Sequence, residues 1–180
     1  MQHDHFHHLV YGSLHDFLTG EELTDTDDER LRQDISRYMV TEKGYAKEEL
    51  VPRLYIETLF TKNFVRSTID LTVQLDDRQF MIIRYGPGSL VSRERAAIAA
   101  ARVLNRQYQI PLAVVTNSRD AELIDTLSGR IIGNGLESIP DRKQAEILIT
   151  TLQFPARQKN PELEREMRIL NAFDVERCCL

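Results

Sequence analysis

Arginine residues recur along one predicted helix at a spacing that suits contact with a polyanion. Arg95, Arg102 and Arg106 are seven and four residues apart, so they share one face of the helix predicted over residues 91–108. Guanidinium groups along one face can neutralise successive phosphates of a nucleic-acid backbone. The alternative is a stripe that is solvated or paired with acids, and the formal net charge of -5 favours it. No aromatic residues interleave with the stripe, so base stacking is not indicated.

The residues before this helix form a second candidate site for anions. The segment Gly86-Pro87-Gly88-Ser89 leads into the helix, where free backbone N–H groups favour a negative charge. Arg84, Arg93 and Arg95 lie close to it in sequence. The segment lacks the Lys-Ser/Thr pair of a nucleotide-binding P-loop. It therefore predicts either a corner that binds sulfate or phosphate, or simply a tight turn between a strand and a helix.

Potential metal ligands are concentrated at the two ends of the chain. Histidines two to four residues apart can ligate Zn²⁺ or Ni²⁺, and four of them stand at the N-terminus: His3, His5, His7 and His8. Because we expect this terminus to be flexible, we favour adventitious metal binding over a dedicated site. Cys178 and Cys179 are adjacent and lack CxxC spacing, so we interpret them as part of a surface tail without a disulfide framework.

Composition indicates a globular domain. The 180 residues are 42% hydrophobic and 28% charged, which is enough for one compact domain with its own core. No apolar run approaches the roughly 20 residues of a membrane-spanning helix. The N-terminus is polar and does not resemble a signal peptide. We therefore expect a cytoplasmic protein without membrane contact.

Periodicity along the chain predicts a mixed α/β architecture. A helical stripe covers residues 28–43, and three alternating segments then predict an antiparallel meander over residues 53–61, 65–75 and 79–85. The helix over 91–108 leads to a wholly apolar strand over 111–116, which we expect to lie parallel to the third strand. Further strands are predicted near 121–126 and 130–132, and further helices over 141–151 and 161–177. The predicted fold is a central mixed sheet of four to five strands flanked by helices.

The same patterns divide the chain into three parts. Residues 1–27 are acidic and rich in histidine, and we expect a flexible arm with a short helical turn near 14–18. Residues 28–135 form the predicted α/β domain. Residues 136–180 form a predicted C-terminal helical extension.

The predicted α-β-β-β-α-β order, together with four short motifs, resembles a known family. The motifs are Lys43-Gly44-Tyr45, Arg66-Ser67-Thr68-Ile69-Asp70, the stretch Phe80–Pro87, and Ala113-Val114-Val115-Thr116-Asn117. In this order they resemble the N-terminal domain of type I restriction enzyme R proteins, which has a restriction-endonuclease-like fold of the PD-(D/E)xK nuclease-like superfamily. The resemblance runs from about Arg32 to Ile132.

This resemblance implies a Mg²⁺-dependent nuclease site and shows that part of its motif is replaced. Such sites use carboxylates to hold Mg²⁺, which prepares a water nucleophile, and a lysine that assists the water. The resemblance places Asp70 at the first carboxylate position, Ile83 at the second and Tyr85 at the lysine position. Isoleucine cannot ligate a metal, and tyrosine carries no charge near neutral pH. Arg84, between the two, is expected to point to the opposite face, so the motif predicts a degenerate active site.

One substitute for the lost carboxylate and one further acidic ligand are open. Glu94 on the following helix could act as a relocated catalytic carboxylate beside Asp70, and Glu57 could supply an upstream metal ligand, with Mg²⁺ as the cofactor if the site is active. Alternatively, Asp70 has a purely structural role and binds a backbone group or pairs with Arg66 or Arg84.

Three functional hypotheses follow from the resemblance. The first is a catalytically silent domain that binds DNA, a restriction–modification protein or another protein partner. The second is an active Mg²⁺-dependent DNA endonuclease that uses Glu94. The third is a structural module that forms a homodimer through the helix at 161–177. Because the chain has no Walker A sequence and no room for a helicase motor, we expect a stand-alone domain.

Overall fold

A mixed β-sheet with helices on both faces forms the centre of the computed structural model, which describes residues 10–60, 63–86, 88–173 and 176–177. In chain order the strands and α-helices are β1 (Val10–His15), β2 (Glu22–Thr26), α1 (Asp27–Thr41), β3 (Leu50–Phe60), β4 (Asn63–Leu75), β5 (Arg78–Tyr85), α2 (Val91–Leu104), β6 (Leu112–Thr116), β7 (Ala121–Asp125), β8 (Arg130–Asn134), α3 (Arg142–Leu148), α4 (Glu162–Phe173) and β9 (Glu176–Arg177). The sheet runs β3-β4-β5-β6-β7-β8, and β9 pairs with β4. The predicted α/β class with a mixed sheet is confirmed, and the sheet is larger than the four to five strands expected.

The meander and the crossover that the sequence predicted are both present. β3, β4 and β5 pair antiparallel, and β5 lies parallel to β6. Asp76 and Asp77 form the turn between β4 and β5, both with positive φ, as a tight hairpin turn requires. Pro52 is accommodated inside β3 because β3 is an edge strand, where a missing N–H costs no ladder hydrogen bond.

Each face of the sheet carries its own hydrophobic cluster. Ile35 and Met39 of α1 pack with Leu71 and Ile83 on one face. On the other face the alanine-rich side of α2 packs closely on the sheet, because alanine lets a helix backbone approach. Ile69 and Ile82 belong to this second cluster. The two clusters fix which side chains can meet on each side of the sheet.

Helices α1 and α2 begin within one residue of their predicted starts, but both end earlier than predicted, at Thr41 and Leu104. At the start of α1 the Thr26 hydroxyl caps the helix and accepts a hydrogen bond from the Glu29 N–H at 3.1 Å. Helix α2 begins at Val91, and the Ser92 hydroxyl in its first turn donates to the Ser89 carbonyl at 3.0 Å.

The predicted helical turn near residues 14–18 is wrong, because β1 and β2 form an antiparallel hairpin there. The Asp16 carboxylate accepts hydrogen bonds from the backbone N–H groups of Leu18 and Thr19, both at 2.8 Å. An aspartate that binds its own following backbone in this way stabilises a reverse turn and competes with a helix. The four N-terminal histidines and Cys178-Cys179 lie outside the described residues.

The apolar stripe of α4, which we predicted as a dimer surface, is used within the chain. Leu170 is fully buried, and Met167 packs against the same cluster as α2. The Thr58 hydroxyl on β3 donates to the Asn171 side-chain carbonyl at 2.5 Å. These side chains therefore contribute to the core of the chain, and dimerisation through this helix stays a prediction. In the described part of the chain, every helix is too short or too polar to cross a membrane.

Candidate functional site

The alternation of side chains along β4 breaks at Asp70. Ile69 belongs to the cluster under α2, whereas Leu71 belongs to the cluster under α1, although a regular strand would place both on one face. The pairing of β3 with β4 continues on either side, but Arg53, which would lie opposite Asp70, has a φ of 53°. Asp70 and Leu71 therefore both lie on the α1 side of the sheet, where the Asp70 carboxylate contacts Arg32.

Both carboxylate oxygens of Asp70 are engaged by groups of the protein itself. Its Oδ1 accepts from the Arg32 Nε at 2.6 Å, and its Oδ2 accepts from the Tyr85 backbone N–H at 2.7 Å. The side chain of Asp70 is only 8% exposed. The partner on α1 is Arg32, and no contact of Asp70 with Arg66 or Arg84 is among those described. Asp70 therefore ties α1 to β4 and β5.

The guanidinium of Arg32 serves two carboxylates. Its Nε contacts the Asp70 carboxylate, and its Nη1 contacts the Glu29 carboxylate at 3.3 Å. Burial alone would lower the pKa of Arg32, but the charges of Asp70 and Glu29 raise it above the ordinary arginine value. Arg32 is thus a permanent cation at the place where the resemblance puts a metal.

A second guanidinium extends this network to the N-terminal hairpin. Arg53 pairs with the buried carboxylate of Asp16, which also accepts from the Gln33 amide at 3.0 Å. That amide contacts Glu29 at 2.8 Å as well. Burial raises the pKa of Asp16, but the hydrogen bonds from Arg53, Gln33 and the backbone outweigh it and hold the pKa well below the usual 3.8. We call these six side chains the α1 network: Asp16, Glu29, Arg32, Gln33, Arg53 and Asp70.

Ile83 and Tyr85 lie next to this network on the same face of the sheet. Ile83 is 0% exposed, pairs with Leu71 and adjoins the strand β6. Tyr85 is partly buried and packs against the α1 cluster. Burial raises the pKa of the Tyr85 phenol and Asp28 adds to the rise, while Arg93 and Arg32 oppose it. The phenol is therefore neutral and cannot replace the positive charge of a lysine.

The residues present do not fit a Mg²⁺ ion beside Asp70. Within the described ranges, no group of three or more histidine, cysteine, aspartate or glutamate side chains is arranged to hold a metal. Glu57 pairs with Arg66 at 2.9 Å, with its side chain 55% exposed on the edge strand. Mg²⁺ requires several converging oxygen ligands, and the oxygens of Asp70 already bind Arg32 and a backbone amide.

Glu94 is directed to a different part of the sheet. It lies within hydrogen-bonding reach of Glu122 on β7, where burial raises the pKa of Glu122 and the Glu94 charge raises it further. β7 is the third strand from β4 in the sheet, which at about 4.8 Å per strand is about 14 Å away. Glu94 therefore approaches Glu122 and not Asp70.

The corner before α2 is built around Gly86 and Arg93. A Cβ on Gly86 would lie 2.0 Å from the Arg93 Cζ, so the guanidinium packs directly against the glycine backbone. The Arg84 Nη2 donates to the Thr68 carbonyl at 3.2 Å. Both predicted arginines thus have contacts inside the fold at this corner.

The predicted arginine stripe on α2 is split by the fold. Arg102 donates to the Thr126 carbonyl at 2.6 Å and to the Glu166 carboxylate at 2.7 Å, so it clamps α2 to α4 and the β7–β8 turn. Arg95 and Arg106 are exposed. Arg102 therefore follows the second interpretation of the arginine stripe, in which its members are paired with acids.

A family model described as the type I restriction enzyme R protein N terminus matches residues 27–140, more than half of the chain. The chain belongs to this family. The matched segment of the type I restriction enzyme R protein N terminus begins at α1 and includes Asp70, Ile83 and Tyr85. It excludes the β1–β2 hairpin and α4. The searches of curated proteins and of solved structures each found no match.

Sequence reasoning missed most of the α1 network. Glu29, Gln33 and Ser36 are all buried and stand four and three residues apart on α1. Polar residues at the spacing of a buried helical stripe are the signal that could have indicated an internal polar network. Arg53 gave no such signal, because its role depends on the hairpin that positions Asp16.

Proposed function

We propose that this member of the type I restriction enzyme R protein N-terminal family is hydrolytically silent and acts by binding DNA. The absence of hydrolysis is supported by Asp70, whose two carboxylate oxygens accept hydrogen bonds from the Arg32 guanidinium and the Tyr85 backbone N–H. A guanidinium neutralises the carboxylate in place of a divalent cation, but it polarises no bound water into a nucleophile.

The neighbouring positions support the same proposal. A buried Ile83 offers no oxygen to a metal, and a neutral Tyr85 offers no charge to the developing phosphorane. The only relocated acid that the sequence suggested, Glu94, approaches Glu122 on β7. Binding without hydrolysis is what this set of residues can do.

The arginines at the start of α2 favour phosphate as the ligand of this binding. Arg95 is exposed in the first turns of α2, and Arg93 lies beside Gly86 at the strand end. The first turn of a helix presents backbone N–H groups and a partial positive charge to an anion. A DNA backbone that meets this corner would find both charge and hydrogen-bond donors.

Two assays on the whole chain test the proposal. Incubation with supercoiled plasmid and Mg²⁺ or Mn²⁺ should give no nicking above that seen with a chelator. Anisotropy of a labelled duplex should show binding that weakens as salt rises. Arg95→Gln should weaken binding and flatten the salt dependence, whereas Lys143→Gln, an exposed cation on α3, should not. Metal-dependent nicking that disappears in Asp70→Asn would refute the silent state, and absence of salt-dependent binding would refute the DNA ligand.

A second candidate function, protein binding, is favoured by the edge of the sheet at β8. β8 ends the sheet, and its Ile131 and Ile132 are 40% and 56% exposed. An open edge with apolar side chains can pair with a strand of a partner, either a restriction–modification protein or a second copy. Light scattering over a range of concentrations would detect a homodimer, and Ile132→Lys should abolish it. A mass that stays monomeric at every concentration would exclude the homodimer.

A further inference from the structure

A cavity of about 270 Å³ opens on the α2 side of the sheet, between β3, the end of α2, and α4. Ile56, Val103 and Met167 give it an apolar floor, and the β3 segment at Tyr55 borders it. Arg106 and Arg157 line it from the other side. The cavity is separate from the α1 network, which lies across the sheet.

Arg106 is exposed and Arg157 is partly buried, and among the described residues both lack the partners that Arg32 and Arg102 have. Among the described residues, neither Arg106 nor Arg157 forms an ion pair or donates a side-chain hydrogen bond, and the Arg157 Nε is fully shielded from solvent without an acceptor. A buried guanidinium N–H without an acceptor is costly, because it has lost its water and gained nothing. An anionic ligand would supply the missing acceptor.

Backbone hydrogen bonds hold the two arginines together. The Gln109 N–H donates to the Pro155 carbonyl at 2.8 Å, and the Arg157 N–H donates to the Gln107 carbonyl at 3.0 Å. Tyr108 and Ala156 form an isolated antiparallel bridge between the same two segments. Arg106 and Arg157, 51 residues apart in sequence, are thus fixed at one rim of the cavity before any ligand arrives.

The acid in the cavity does not cancel this charge. Glu57 lines the same cavity, but its carboxylate accepts from the Arg66 Nη2 at 2.9 Å. Arg66 also lies over the Tyr55 ring, with its Cζ 4.3 Å from the ring centroid. The Glu57 charge is therefore matched by Arg66, and Arg106 and Arg157 remain as the excess.

We propose that this cavity binds one nucleotide unit, with its phosphate on Arg106 and Arg157 and its base against the apolar floor. Two guanidiniums match the oxygens of a phosphate, and the apolar side chains of Ile56, Val103 and Met167 can contact a base. A volume of about 270 Å³ lies at the lower end of small-molecule sites, which suits one unit. The unit can come from a free nucleoside monophosphate or from a single strand.

Calorimetric titration of the whole chain with AMP tests the proposal. AMP should bind more tightly than ribose 5-phosphate, which lacks the base, and than adenosine, which lacks the phosphate. Arg106→Gln and Arg157→Gln should each weaken AMP at least about tenfold, because a hydrogen bond to a charged group is worth roughly that factor or more. Arg119→Gln, an exposed arginine on the β6–β7 turn, is the charge-matched control and should change affinity less than twofold.

The source of the nucleotide is distinguished by competition with a labelled oligo-dT strand. Displacement of the strand by AMP, lost in Arg157→Gln, assigns the cavity to single strands, whereas AMP binding without strand binding assigns it to free nucleotides. The proposal is overturned if AMP binds no better than both fragments, or if Arg119→Gln has the same effect as the cavity variants. Duplex binding through Arg95 should persist in Arg157→Gln, so failure here leaves the proposed function intact. Thermal melts of each variant confirm that it is folded.

Discussion

Charged side chains on the α1 side of the sheet are satisfied within the chain, whereas those at the rim of the α2 cavity are not. On the α1 side, three carboxylates and two guanidiniums contact one another and the backbone: Asp16, Glu29, Asp70, Arg32 and Arg53. Across the sheet, Arg102 is paired with Glu166, but Arg106 and Arg157 meet no acid among the described residues.

This difference separates a structural role from a binding role. A buried charge is tolerated when its partner is already present, and the pair then holds the elements that carry it. A partly buried charge without a partner contributes nothing to folding and is available to a ligand. The face where the resemblance places catalysis is thus the structural face, and the capacity for binding lies across the sheet and at its corner.

The largest expected effect comes from removing one guanidinium of the α1 network. Arg53→Met keeps the length of the stem but leaves the Asp16 carboxylate, which is 3% exposed, without its cation. Breaking a buried pair in this way costs about 3 kcal/mol of the free energy of unfolding. Urea denaturation measures it.

The matched control is Arg37→Met on α1. Arg37 pairs with Asp34 at 3.3 Å, and both side chains are more than half exposed, so the change should stay below about 0.5 kcal/mol. Equal effects of the two substitutions would show that the α1 network is no more than a surface feature.

Arg102→Met is expected to cost about 2 kcal/mol, because it leaves Glu166 and the Thr126 carbonyl without their donor. The comparable exposed pair on α4 joins Arg168 to Glu164 at 3.4 Å, and Arg168→Met should cost almost nothing. Thermal unfolding of the two variants side by side compares them. A cost for Arg168→Met as large as that for Arg102→Met would contradict the assignment of Arg102 as an internal clamp.

Acid should destabilise the α1 side through Asp16. Its pKa is depressed in the folded chain relative to 3.8, so the stabilisation is complete above that value and is lost as the pH falls below it towards the folded pKa. Between pH 6 and pH 3 this carboxylate should account for about 1 kcal/mol of lost stability. Asp16→Asn should be less stable at pH 6 and should show a shallower decline, measured by urea melts at each pH. An unchanged slope would mean that Asp16 is not held as a carboxylate.

The elements of the fold could be predicted from local patterns, but the partners of charged residues could not. Alternation indicated β4 and β5, and the spacing of Ile35 and Met39 indicated α1, because each pattern is contained within a few residues. The family could also be predicted from the sequence, and the family match over residues 27–140 confirms it.

Contacts between distant segments escaped this reasoning for a physical reason. Asp70 and Arg32 are 38 residues apart and meet only because α1 crosses the strand at the irregularity opposite Arg53. The approach of Arg157 to Arg106 depends on backbone hydrogen bonds between two loops, which have no periodic signal. Side-chain pairing of this kind is set by tertiary packing and not by local propensity.

The smallest expected effect is that of the cavity arginines on stability, and it tests the contrast between the two faces of the sheet most directly. If Arg106 and Arg157 contribute no native contact, then Arg106→Gln and Arg157→Gln should each change the free energy of unfolding by less than about 0.5 kcal/mol, as for a surface position. The double variant should change the free energy of unfolding by no more than the sum of the two single changes, since either single change already removes the repulsion between the two cations. Urea melts without added nucleotide measure this, and repeating them with AMP should stabilise only the parent chain. A loss above about 1 kcal/mol without AMP would show that these arginines hold the fold as Arg53 does, and the contrast between the two sides of the sheet would not stand.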